Sequence, residues 1–190
     1  MSGELAGEGW FDIVSLNVSQ RTGTRKRPVP TIELEAGRGV AGDAHEGLIE
    51  NRQVSLLAVE DIEAASATLC GAYGEREERA TEGGGPEQTA ARGATAPAAP
   101  RAARLTELKP GDFAENITTR GVRLHELPLG TRIELGTALL ELSKIGKECH
   151  SACEIRALVG DCVMPRRGVF ARVIKGGTVS NADRGHYRIG

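Results

Sequence analysis

Residues 131–143 read "TRIELGTALLELS", and their alternation decides the fold class. Thr131, Ile133 and Leu135 fall on one face and Arg132 and Glu134 on the other, the two-residue period of a strand with one face on a core. "ALLELS" repeats the pattern after the turn at "LGT". Further along, "GVFARVIKGG" (168–177) is a near-continuous apolar strand closed by two glycines. Towards the N-terminus, "FDIVSLNVS" (11–19), "TIELE" (31–35) and "RQVSLLA" (52–58) read as further strands. The basic stretch "QRTGTRKRPVP" (20–30) reads as a turn-rich loop. In "VEDIEAASATLCG" (59–71), Val59, Ile62, Ala65 and Leu69 recur at helical spacing, and Gly71 offers a stop. Many short strands with few short helices predict a mainly β (α+β) domain closed into a barrel.

The chain of 190 residues is long enough for one well-buried core and is expected to form a single domain over residues 1–190. Aromatic residues make up only 3%, so that core must be aliphatic. Residues 74–104 lack any large aliphatic or aromatic side chain and are rich in Gly, Ala, Pro and charge. Such a stretch cannot bury enough apolar surface to offset the entropy of ordering it, which predicts a disordered low-complexity insertion. The net charge of −2 argues against nucleic-acid binding. No apolar run has the length to span a bilayer, and "MSGELAGEGW" lacks the basic-then-apolar order of a secretory signal. A cytoplasmic location with no membrane partner is therefore expected.

Three glycine-marked polar segments are candidates for chemistry. They are "GVAGDAHEG" (39–47), "GDFAENITTRG" (111–121) and "GKECHSACEIRALVGDCVMPRRG" (146–168). Asp43 and His45 in the first also fit a turn, and Asn116 and Thr118 in the second also fit turn and capping roles. "GRGVAG" is not followed by a helix carrying Lys-Ser/Thr, so it is no phosphate loop. The third segment holds Cys149, Cys153 and Cys162, whereas Cys70 stands apart and reads as a small buried apolar residue. Zinc sites pair cysteines at short spacing, but Cys162 lacks a near partner and Cys149 adjoins His150. A redox dithiol of Cys149 and Cys153 lacks the expected strand–helix setting. A single reactive thiol suits the surroundings best, because Lys144, Lys147, His150, Arg156, Arg166 and Arg167 would favour the thiolate. The same cations suit the phosphate of an anionic cofactor, with Arg156 and Arg166 the preferred candidates.

Taken together, the three segments resemble the MOSC domain, the module named for the C-terminal part of molybdenum cofactor sulfurase. The resemblance rests on "GVAGDAHEG" with "NRQVSLLAVE", on "PGDFAENITTRG" with "LHELPLGTRIELG", and on "IGKECHSACEI" with "GDCVMPRRGVFARV". It implies a closed β-barrel of the pyruvate-kinase barrel type with a few short helices, here as a standalone, bacterial-type member. It also implies a role with the molybdenum cofactor (molybdopterin), with Cys149 as the residue that carries sulfur or ligates molybdenum. Asp43, His45, Asn116 and Thr118 would line the same pocket, and Arg52, Lys147, Arg156 and Arg166 would hold the anionic ligand. The chain departs from the family pattern at Asn51, where a histidine is frequent, and at Ala182, where a glycine is common.

The sulfurases that share the module carry a pyridoxal-phosphate desulfurase, for which this chain has no room. No pyridoxal phosphate is expected, and sulfur would come from a partner such as a cysteine desulfurase. The expected function is that of a sulfur carrier or maturation factor, working with the cofactor or its biosynthetic proteins. The alternatives are a molybdenum-dependent reductase of N-hydroxylated compounds with a redox partner, and a small zinc-stabilised binding module.

Overall fold

The computed structural model describes residues 7–68, 107–147, 155 and 162–190. The insertion at 74–104 and the side chains of Cys70, Cys149, His150, Cys153 and Arg156 lie outside the described residues. In chain order the elements are β1 (Glu8–Val18), β2 (Arg27–Val29), β3 (Thr31–Glu35), β4 (Gly39–Val40) and β5 (Val54–Ala58). A helix, α1, follows at residues 59–68. Then come β6 (Ile117–Arg120), a 3-10 turn η1 (Leu124–Glu126), β7 (Arg132–Leu135), β8 (Ala138–Ile145) and a short helix α2 (Met164–Arg167). The chain ends with β9 (Val169–Lys175), β10 (Gly177–Ser180) and β11 (Arg184–Arg188).

Among the described residues, seven strands close into a barrel in the order β1-β11-β7-β8-β9-β5-β6, with β6 returning to β1. Closure removes the unpaired edges that an open sheet would present. β2 pairs with the outer end of β1, and β10, β3 and β4 form a separate three-stranded sheet. The pair β5–β6 is parallel, which demands a crossover connection, and α1 begins it. The alternation read in 131–143 holds, since Ile133, Leu135, Leu140 and Leu142 all bury into the interior. The basic stretch is not wholly loop: Arg27–Val29 pairs with Leu16–Val18 as β2.

The interior is aliphatic apart from Phe11, whose ring lies against Gly185 of the paired strand β11. A Cβ on Gly185 would sit 2.1 Å from that ring, and the ring is locked among fully buried neighbours. Gly185→Ala is therefore expected to cost about 2 kcal/mol by overpacking, read as a lower midpoint in urea unfolding. A second cluster lies outside the barrel wall, where Leu57, Ile62, Leu108, Phe113 and Phe170 pack with Ile155, Cys162, Val163 and Met164. It fastens α1, the loop before β6 and both described parts of the cysteine segment to one face of β5 and β9.

Candidate functional site

Beside the aliphatic interior lies a buried polar cluster built from four separate stretches. Asn17 lies near the end of β1, Lys26 precedes β2, Asp43 follows β4, and Glu115 and Asn116 lead into β6, which holds Thr118. Asn116 is the junction. Its Nδ2 donates to the Asn17 carbonyl at 3.2 Å and to Asp43 Oδ2 at 3.3 Å, and its Oδ1 accepts from Ser55 Oγ at 2.9 Å. Thr118 donates to Glu115 Oε1 at 2.8 Å and accepts from Asn17 Nδ2 at 3.4 Å. Buried polar groups persist only when they find such partners, so this network fixes the relative positions of β1, β5, β6 and the Asp43 loop.

Lys26 and Asp43 form a close ion pair whose side chains are 1% and 2% exposed. Burial alone would raise the Asp43 pKa, but hydrogen bonds from His45 and Lys26, the lysine's charge and the Ser19 amide outweigh it. The carboxyl is held well below the ordinary range and stays ionised. Burial lowers the Lys26 pKa, against the pull of Asp43 and Glu115, and the nearby charge of Lys147 lowers it further. Asp43 also shapes its own loop: Oδ1 accepts from the His45 amide at 3.0 Å and faces His45 Nδ1 at 3.2 Å. Asp43 is thus both the turn former suggested by its glycine neighbours and one half of a buried ion pair.

The loop into β6 is tightly bent. Gly111 has φ +90° and presses on the Lys26 backbone, so a Cβ there would lie 2.4 Å from the Lys26 carbonyl oxygen. Ala114 adopts φ +63°, a conformation that non-glycine residues hold only when their surroundings enforce it. The bend is closed by the Ala114 amide, which donates to the Gly111 carbonyl at 3.1 Å, and by fully buried Glu115, whose Oε1 accepts from the Gly111 amide at 2.6 Å. Burial raises the Glu115 pKa, and its Oε2 has no hydrogen-bond partner among the described residues.

The cysteine segment joins this site at its described ends. The Gly146 amide donates to the Gly168 carbonyl at 2.7 Å, pinching the segment shut at its base. Lys147 follows, close enough for its charge to act on Lys26. Ile155 and Cys162 pack in the same cluster as Phe113, so the second and third polar segments are in contact. Arg52 lies 5.9 Å over the Phe170 ring and has no carboxylate partner among the described residues; it does not pair with Glu50 or Glu60. Arg166 is exposed on α2. Among the described residues, no three His, Cys, Asp or Glu side chains gather as metal ligands.

A feature that the sequence reading left unassigned opens next to Lys26. A cleft of about 1140 Å³ is lined by Arg21, Arg25, Lys26, Arg27 and Lys109, with Asp112 the lone acidic side chain. Val14, Val18, Pro28, Val29 and Pro110 supply its apolar walls. Arg25 pairs with Asp112 at 3.5 Å, while Arg21 and Arg27 have no acidic partner among the described residues. In a chain of net charge −2, so many cations in one concavity make a strongly localised positive field. The signal was visible as the run "RTGTRKR", but only the pairing of β2 with β1 turns it into a cleft wall. Asp43, His45, Arg52, Asn116 and Thr118 do not line this cleft; Asp43, Asn116 and Thr118 buttress it from beneath.

The donor set fits a phosphate-bearing, flat heterocyclic cofactor. Guanidinium forks match phosphate oxygens, and the valine and proline walls offer a surface for a ring. The MOSC domain family model matches residues 43–184. No curated protein matches the sequence. Among solved structures, the fold is similar to YuaD from Bacillus subtilis, with TM-score 0.65 at 15% identity over 96% of this chain and 98% of that one. It is similar also to YiiM from Escherichia coli, with TM-score 0.58 at 15% identity over 94% and 69% of the two chains. YiiM from Geobacillus stearothermophilus gives TM-score 0.54 at 18% identity over 91% and 72%. At such identities the likeness concerns the fold. The family match covers most of the chain, and it takes in Asp43, the Asn116 junction and the whole cysteine segment: the chain belongs to the MOSC domain family.

Proposed function

We propose that this chain binds the molybdenum cofactor by its phosphate in the basic cleft and serves as a sulfur carrier through Cys149. The observation that carries the reading is the convergence of Arg21, Arg25, Lys26, Arg27 and Lys109 on one cleft with apolar walls. The association of MOSC domains with molybdenum cofactor function supports it. The arginines hold the phosphate, and the buried Lys26–Asp43 pair fixes the adjoining backbone in place. Cys149, as thiolate, attacks the outer sulfur of a donor persulfide such as that of a cysteine desulfurase. A new S–S bond forms on Cys149, the donor's S–S bond breaks, and the donor leaves as its thiolate. When bound, the cofactor supplies the molybdenum that takes a terminal sulfur.

The test is retention of the cofactor, measured as molybdenum and pterin that co-elute with the protein in gel filtration. Arg21→Ala/Arg27→Ala is expected to weaken retention by at least roughly a hundredfold, at about 1.5 kcal/mol or more for each of two lost charge-assisted bonds. Fold stability should be nearly unchanged, because both side chains are exposed. Arg52→Ala and Arg156→Ala probe the thiol side of the site, and Arg76→Ala with Arg79→Ala serve as controls. Retention equal to wild type in the double variant would remove the cleft from the reading. Tight retention with no sulfur on Cys149 would favour the reductase alternative.

A further inference from the structure

Away from the cleft, a histidine joins three elements that the proposed function does not use. His125 of η1 is 9% exposed at its side chain and is bracketed by Asp61 of α1 and Arg167 of α2. The Arg167 Nη1 lies 2.6 Å from His125 Nε2, and Asp61 Oδ2 lies 3.4 Å from His125 Nδ1. A guanidinium can only donate, so Nε2 must offer its lone pair and the ring must be neutral, with its proton on Nδ1 facing Asp61. A proton added to this ring can go only to Nε2, where it meets the Arg167 donor head-on.

We propose that Asp61, His125 and Arg167 form a proton-released latch, which holds α2 and the C-terminal end of the cysteine segment at neutral pH and lets them go on acidification. The lever is short. α2 is a four-residue helix, and Cys162, Val163 and Met164 immediately before and within it are buried in the outer cluster against Leu57, Phe113 and Phe170. Arg167 ties it to α1 and η1, and at 46% exposed it has open solvent to move into.

The charges acting on His125 are those of Asp61 from α1, Arg167 from α2, and Glu126 and Arg123 around η1, while Glu60 of α1 acts on Asp61. Glu126 reaches Nε2 only at 3.8 Å and is itself engaged by Arg123. Burial lowers the His125 pKa from its ordinary 6.5; the Asp61 and Glu126 charges oppose that, and those of Arg167 and Arg123 reinforce it. Burial raises the Asp61 pKa, so acid weakens its hold on the ring as well. For a base with a depressed folded pKa, the stability is complete above 6.5 and declines as the pH falls from there towards the folded value.

Cys162, buried at 7%, reports the state of α2. In full-length chain with Cys70, Cys149 and Cys153 changed to serine, its reaction with dithiodipyridine is timed and normalised to the urea-unfolded chain at each pH. The normalised rate is expected to rise roughly tenfold between about pH 7.5 and about pH 5.5, the window in which histidine titrates. His125→Gln keeps an acceptor for Arg167 but cannot take up a proton; it should stay slow throughout. Arg167→Met should be fast already at the upper pH. A wild-type rate that does not change with pH overturns the latch. So does an equal rise in His125→Gln, or an Arg167→Met variant that remains folded by circular dichroism and slow at the upper pH. The ligand-free chain suffices, so failure here leaves the cofactor reading standing, and failure of that reading leaves the latch.

Discussion

Cys149→Ser is expected to abolish sulfur loading, with a loss of at least about a thousandfold in rate, because an alkoxide-forming oxygen cannot make the persulfide that a thiolate makes. Serine keeps the size and a hydrogen-bonding group, so the free energy of unfolding in urea should stay within about 0.5 kcal/mol of wild type. The loaded sulfur is read by mass spectrometry of the intact chain after incubation with cysteine and a cysteine desulfurase. Wild type should gain one sulfur atom per chain on the peptide that contains Cys149. Cys70→Ser and Cys153→Ser should load nearly as well. If Cys153→Ser is as damaging as Cys149→Ser, the single-thiol mechanism gives way to a paired one.

The second large effect concerns stability. Lys26→Met strands the Asp43 carboxylate in the interior, and Asp43→Asn strands the lysine. Each single change is expected to cost about 4 kcal/mol, since the partner left behind is a buried, uncompensated charge. Combining them removes both charges, and the double variant should recover part of that loss, a coupling that a double-mutant cycle in urea measures directly. The pH dependence has a definite sign. Asp43 is ionised more readily in the folded chain than in the unfolded one, so its contribution is full above the unfolded pKa of about 4 and is lost as the pH falls below it. Asp43→Asn should therefore flatten the acid limb of the stability profile. An acid limb identical to that of wild type would show that Asp43 does not carry it.

The barrel strands were legible because a half-buried strand prints its two-residue period in the sequence, as Ile133 and Leu135 do against Arg132 and Glu134. α1 was legible for the same reason at helical spacing, with Val59 and Ile62 buried as its pattern required. β2 was not: it spans three residues at the end of β1, includes Pro28, and draws its existence from the partner strand. The parallel pairing of β5 with β6 was equally hidden, because two strands far apart in sequence carry no mark of their mutual direction. At the site, the glycine-marked segments contain Asp43 and Asn116, which the fold brings within hydrogen-bond distance of each other. That contact, and the pairing of Asp43 with Lys26, 17 residues away in sequence, required the folded chain. In the sequence Glu115 is one polar residue among several in "GDFAENITTRG", and only its complete burial gives it a role in the bend at Gly111. Arg167 read as one of several surface cations near the cysteines, and its partners Asp61 and His125 come from two distant elements.

We propose that the cleft holds a molybdenum-bearing pterin phosphate. The most direct test is elemental and pterin analysis of the full chain purified from molybdenum-replete cells. The account predicts molybdenum and pterin together in equal amounts in the protein peak, both strongly reduced in Arg21→Ala/Arg27→Ala. A peak that carries stoichiometric zinc with neither molybdenum nor pterin would contradict it and make the chain a zinc-stabilised module.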